Sequence, residues 1–151
     1  MPEMTTPARP KRTVAQQLRA LLATEGYRPR RVRDEEDPST IHFKVEGNTF
    51  LVRTNEQDPD FVAICTGNTL EDMSKDELTL LRAAAEAQND MKVAKVFVPQ
   101  SLAYVEFQLE LFLDGKPSSA DLLERCIGTL RTTRRRFYEL ATPREQPRAL
   151  A

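Results

Sequence analysis

The stretch Tyr104-Val105-Glu106-Phe107-Gln108-Leu109-Glu110-Leu111 decides the fold. Val105, Phe107, Leu109 and Leu111 fall on one parity, and Tyr104, Glu106, Gln108 and Glu110 on the other. Successive side chains of a strand point to opposite faces, so this run has one face in a core and one in water. A sheet made of such strands is antiparallel and covered by helices mainly on one side, because a parallel sheet buries both faces.

Upstream, Val93, Val96 and Val98 predict a strand that Pro99 stops, the first arm of a hairpin with the decisive run. Before it, Ser74 and Glu77 have capping-box spacing, and Leu78, Leu81, Ala84, Ala85 and Gln88 continue a helical stripe to about Met91. Phe61 to Cys65 is apolar on both parities, the pattern of a strand covered on both faces or central in the sheet, and NEQDPD before it reads as a loop. Ile41, Phe43 and Val45, then Phe50 and Val52, alternate on either side of Gly47-Asn48, residues that tolerate positive φ, and predict an antiparallel hairpin. Thr13 with Gln16 opens a first helix over 13–25, which Gly26 and Pro29 end. Downstream, Asp114-Gly115 turns the chain and Ser118 or Ser119 caps a last helix. Its stripe is Leu122, Cys126, Leu130, Thr133, Phe137 and Leu140, widened by Leu123 and Ile127. The order is α-β-β-β-α-β-β-α: an α+β two-layer sandwich with an antiparallel sheet packed against helices.

The 151 residues suit one domain. It is expected over 13–141, between a basic, proline-rich disordered tail at 1–12 and a second tail at 142–151. Lys plus Arg number 22 and Asp plus Glu 23, for a net charge of −1. Residues 1–33 carry eight basic and two acidic side chains, whereas 34–90 carry four basic and fourteen acidic. That overall balance argues against a dedicated nucleic-acid binder. Two cysteines are too few for a disulfide framework, and no segment reads as a signal peptide or membrane span. The expected compartment is therefore the reducing cytoplasm.

With these elements in place, the chain resembles the YbjN family of bacterial proteins, itself similar to the type III secretion chaperone fold. The resemblance covers about 13–141. It rests on Leu21-Leu22 through Gly26-Tyr27, on Ile41-His42-Phe43-Lys44-Val45-Glu46-Gly47 leading to Phe50-Leu51-Val52, and on Phe61 after Asp58-Pro59. It continues in Ala84 to Asn89 ahead of Lys92-Val93-Ala94-Lys95-Val96, and in Tyr104-Val105-Glu106-Phe107. What it implies is a small cytoplasmic protein that dimerises and holds peptide segments of partners, or regulates through such contacts. It carries over no catalytic residue.

The residues are poor in catalytic chemistry. His42 is the one histidine, and H-x-x-x-H, C-x-x-C and EF-hand spacings are missing, which argues against a metal. Cys65 lies in an apolar strand and Cys126 on an apolar helical stripe, the setting of small buried hydrophobes rather than activated thiolates. Five glycines never approach G-x-G-x-x-G or a P-loop, so no cofactor is expected. The expectation is a protein that is not an enzyme.

Two surfaces remain. Leu51, Val62, Phe97 and Tyr104 break the polar parity of their strands and are candidates for a peptide, partner or homodimer surface. Arg28, Arg30, Arg31 and Arg33 after the first helix, and Arg131, Arg134, Arg135 and Arg136 late on the last, are candidates for an anionic ligand or a nucleic-acid contact. Arginines in the last turns of a helix also offset its dipole, which is the plainer account of the second group. The favoured function is non-enzymatic binding of a protein or peptide by a homodimeric domain, chaperone-like or regulatory; the alternative is a regulatory domain that binds an anionic ligand or nucleic acid through the arginines.

Overall fold

The computed structural model describes residues 12–30, 38–70, 76–113 and 120–142. Its elements are α1 (Val14–Thr24), β1 (Thr40–Val45), β2 (Asn48–Asn55), β3 (Asp58–Thr69), α2 (Glu77–Asp90), β4 (Ala94–Phe97), β5 (Tyr104–Phe112) and α3 (Ala120–Ala141). Element order, α+β class and an antiparallel sheet packed against helices all agree with the sequence pattern. The expected tails, the DEED segment, Ser74 and the cap at Ser118 or Ser119 lie outside the described residues.

Local chemistry accounts for the helix ends. Thr13 and Gln16 exchange side-chain and backbone hydrogen bonds of 3.2 and 3.0 Å, a complete capping box. At the other end of α1 the Gly26 and Tyr27 N–H groups donate to Ala23 and Leu22 carbonyls, a Schellman motif that needs the left-handed Gly26, φ 87°. For α2 the cap is Asp76, whose carboxylate accepts from the Thr79 N–H at 3.0 Å. The Thr79 hydroxyl, which also donates to this carboxylate, and then the Thr79 N–H hold the Asp76 carboxyl below its usual range.

The five strands lie in the order β1-β2-β3-β5-β4, all antiparallel. The β1–β2 loop is two residues long, Glu46-Gly47, both at positive φ, so the hairpin turn falls one residue earlier than Gly47-Asn48. β3 begins at Asp58 rather than after NEQDPD, because Glu56-Gln57 alone make the turn and the Leu113 N–H donates to the Asp60 carbonyl.

One core joins the helices to one face of the sheet. Leu18 and Leu22 of α1, Leu80, Ala83, Ala84 and Ala87 of α2, and Leu123, Ile127, Leu130 and Phe137 of α3 pack on Ile41, Phe43, Phe50, Val52, Val62, Ile64, Val105, Phe107 and Leu109. Phe107 meets Phe137 edge-on, ring centroids 5.6 Å apart. Arg136 ties α3 to α2 through Asp90 at 2.8 Å and Glu86 at 3.7 Å. The expected α2 stripe is turned: Leu78 and Leu81 are 53% and 44% exposed, Ala85 and Gln88 are exposed too, and Leu80, Ala83, Ala84 and Ala87 face the core.

The margins of the sheet are occupied in part. At β1, the Arg30 N–H donates to the His42 carbonyl at 2.8 Å. At β4, the Val96 N–H donates to the side-chain oxygen of Gln88, 3.0 Å away.

Candidate partner-binding face

Among the described residues no helix packs on the opposite face of the sheet. The strand registers place on it, row by row, Lys44, Thr49, Gly67, Glu106 and Phe97, then His42, Leu51, Cys65, Gln108 and Lys95, then Thr40, Arg53, Ala63 and Glu110. The central strand contributes small side chains at Ala63, Cys65 and Gly67, so a trough runs between the longer groups of β2 and β5. Around Gly67 it opens into a notch of about 320 Å³ lined by Thr49, Leu51, Cys65, Tyr104 and Glu106.

Charge bridges the trough. Arg53 on β2 reaches Glu106 on β5 at 3.3 Å, a diagonal that crosses above Cys65, and Lys95 pairs with Glu110. Cys65 is therefore 1% exposed although no helix covers it. Burial pushes its thiol up to about 11, against the opposing pull of Arg53. Cys126, on α3 beneath the sheet, is also raised by burial. Neither suits a nucleophile. The measurable result is that Ellman's reagent at pH 8 should leave both thiols largely unmodified in the folded protein and titrate both after denaturation. Fast stoichiometric reaction of the native protein would contradict this placement.

Three of the four expected surface residues share this face. Leu51 is half-buried, and Phe97 and Tyr104 are 54% and 41% exposed. Val62 does not join them, a correction to the sequence expectation. At 2% exposure it points to the helices, since Val62 and Ile64 fill the core side of β3 while the smaller Ala63 and Cys65 face away. A residue that parity reasoning missed is Phe112, 78% exposed and edge-on to Phe61 at 5.8 Å; the signal was the continuation of the β5 alternation by one residue.

The arginine clusters part company. Arg31 and Arg33 lie outside the described residues. On α3, Arg131 pairs with Glu46, Arg134 lies 5.6 Å from the Tyr138 ring centre, and Arg136 is held by Asp90, which raises its pKa further. Arg135 is exposed beside them. Among the described residues no group of three or more His, Cys, Asp or Glu is placed to hold a metal, and no helix is long and apolar enough to cross a membrane.

No protein-family model and no curated protein matches the chain by sequence. Solved structures do match it. YbjN from E. coli superposes with a TM-score of 0.60 at 10% identity, over 83% of this chain and 89% of that one. The fold is that of YbjN and the type III secretion chaperones. A chain of the HopA1–SchA chaperone–effector complex matches with a TM-score of 0.57 at 11% identity, over 81% of this chain and 90% of that one. A chain of the heterodimeric ExoU–SpcU complex from the Pseudomonas aeruginosa type III secretion system matches with a TM-score of 0.55 at 18% identity, over 83% and 98%. In this YbjN-like sheet one face is filled by the chain's own helices, and none of the described helices packs on the other.

Proposed function

We propose that the chain is a non-enzymatic, cytoplasmic binding module, chaperone-like or regulatory, that holds a segment of a protein partner on the helix-free face and works as a homodimer. The observation that carries this reading is the group of exposed apolar side chains, Phe97, Tyr104 and Phe112 with Leu51, on a sheet face that no helix covers. Exposed apolar groups on one face mark an interaction site, and Tyr104 with Leu51 in the lining of the notch offers an anchor point of the kind found on partner surfaces. The chaperone–effector complex that shares the fold supports the choice of a protein partner. Leu78 and Leu81 on the outer side of α2 offer a second apolar surface, suited to a copy of the chain.

Two readouts separate the surfaces. Peptides selected from a displayed random library on the wild-type protein should bind Leu51→Asp and Phe97→Asp about 10–100-fold more weakly, the effect of losing one or two hot spots. Light scattering across a concentration series should give a wild-type dimer that Leu78→Asp with Leu81→Asp splits into folded monomers. Peptide binding indifferent to Leu51 and Phe97 refutes the face, and a concentration-independent wild-type monomer refutes the homodimer.

A further inference from the structure

The margin of the same face carries a second arrangement. After α1 the chain runs beside the free edge of β1, pinned at several points. The Tyr27 ring packs edge-on against Phe43 at 5.4 Å, the Arg30 N–H donates to the His42 carbonyl at 2.8 Å, and the Arg19 guanidinium donates to the Arg30 carbonyl at 2.8 Å. From this fixed backbone Arg28 and Arg30 extend into solvent. Across the groove, His42 and Lys44 alternate along β1, both on the helix-free side. The cavity between them is about 440 Å³, and the described residues that line it, among them Tyr27, Arg28, Arg30, His42 and Lys44, include no carboxylate. Arg53, Lys95, Arg131 and Arg136 each meet an Asp or Glu, whereas the cations of this groove, like the scattered Arg82, Lys92 and Arg125, form no ion pair among the described residues.

We propose that this groove binds an acidic peptide segment, whose carboxylates are received by Arg28, Arg30, His42 and Lys44. The inference deepens the function proposed above and rests on its reading of the chain as a peptide holder. With no ion-pair partner among the described residues these cations are open to a ligand, and because the Arg30 backbone is already fixed, only the side chains remain to be ordered at binding. Guanidinium forks match carboxylates geometrically, and charge complementarity of this kind sets partner choice. A peptide fits better than nucleic acid. A polyanion's affinity comes from a long track of neutralised phosphates, while this basic region is short and the β2–β3 turn with the start of β3 in the same sheet carries Glu56, Asp58 and Asp60. Nor is an aromatic ring free for base stacking in the groove, since Tyr27 is engaged with Phe43.

The test is fluorescence anisotropy with a labelled octapeptide alternating Glu and Thr, its Gln-Thr analogue, and a single-stranded oligonucleotide of equal charge. The full chain should bind the Glu peptide at least about tenfold more tightly than the analogue and lose most of that preference as NaCl rises from about 50 to about 300 mM. Arg30→Glu with Lys44→Glu, and the milder Arg30→Gln with Lys44→Gln, should weaken binding at least about tenfold, while Arg125→Gln, at an exposed arginine of α3 that does not line the groove, leaves it unchanged. Equal binding of the two peptides, or indifference to both charge variants, overturns the groove. Selected peptides that still depend on Leu51 and Phe97 would then keep the function proposed above. Tighter binding of the oligonucleotide overturns the peptide assignment, and a wild-type dimer split by the charge variants assigns the groove to a second copy instead.

Discussion

Phe107→Ala and Phe137→Ala should each lower stability by about 3–5 kcal/mol, the cost of removing a fully buried aromatic ring and leaving a cavity behind. Both rings are 0% exposed, and they meet edge-on at the point where β5, the strand that decides the fold, passes under α3. For a domain of this size each kcal/mol moves the melting midpoint by about 2–4 °C, so either substitution should lower it by about 6–20 °C. Because the two side chains touch, their effects should not add: once one ring is gone, the other has already lost its packing partner. Thermal or urea unfolding of the two single variants and the double variant measures this directly. Costs below about 1 kcal/mol, or strict additivity, would show that the two rings do not form the shared contact described.

Two glycines should respond to substitution with opposite sign. At Gly67 a Cβ would stand 2.9 Å from the Val105 carbonyl oxygen, a backbone atom of the paired strand that cannot swing aside. Strand propensity alone would favour Gly67→Val at this helix-free position. The close approach dominates, because relief requires β3 and β5, the two most extensively paired strands, to part at their register. Gly67→Val should therefore cost about 1–3 kcal/mol, in the range of overpacked sites. Gly128, exposed inside α3, has nothing within 4 Å of the place its Cβ would take. Gly128→Ala should stabilise by about 0.5–1 kcal/mol, the helix-propensity difference. Urea midpoints of the two variants should move in opposite directions; a stabilised Gly67→Val would mean that the sheet yields there.

The legible parts of this chain were those where one periodicity had no competitor. In β5 the strict alternation from Tyr104 to Leu111 made face and class readable together, and the capping box of Thr13 with Gln16 placed α1 to within a residue. Reading faltered where two faces are both apolar. In α2, Leu78 and Leu81 mark one side and Leu80, Ala83, Ala84 and Ala87 another, and only the packing of α3 selects the alanine side for burial, since small residues allow close approach. In β3 the run Phe61 to Cys65 is apolar throughout, and volume decides which parity faces the helices, which is why Val62 was misplaced. Asp58-Pro59-Asp60 reads as a turn by composition, yet it pairs into the sheet. The candidate surfaces were legible only as separate pieces. Leu51, Phe97 and Tyr104 could be picked out as parity breaks, but the basic groove could not, because Arg28 and Arg30 come to line one cavity with His42 and Lys44 through the Arg30 backbone contact at His42, which no local pattern announces.

The side chain of Gln88, which receives the Val96 N–H, has a consequence for colloidal behaviour. A bare outer strand is a template on which further chains can stack, and β4 is both short and plugged at its centre by an amide from the neighbouring helix. With the β1 margin engaged at His42 by the Arg30 backbone, each end of the sheet has a backbone group already satisfied, which disfavours templated growth beside its exposed phenylalanines.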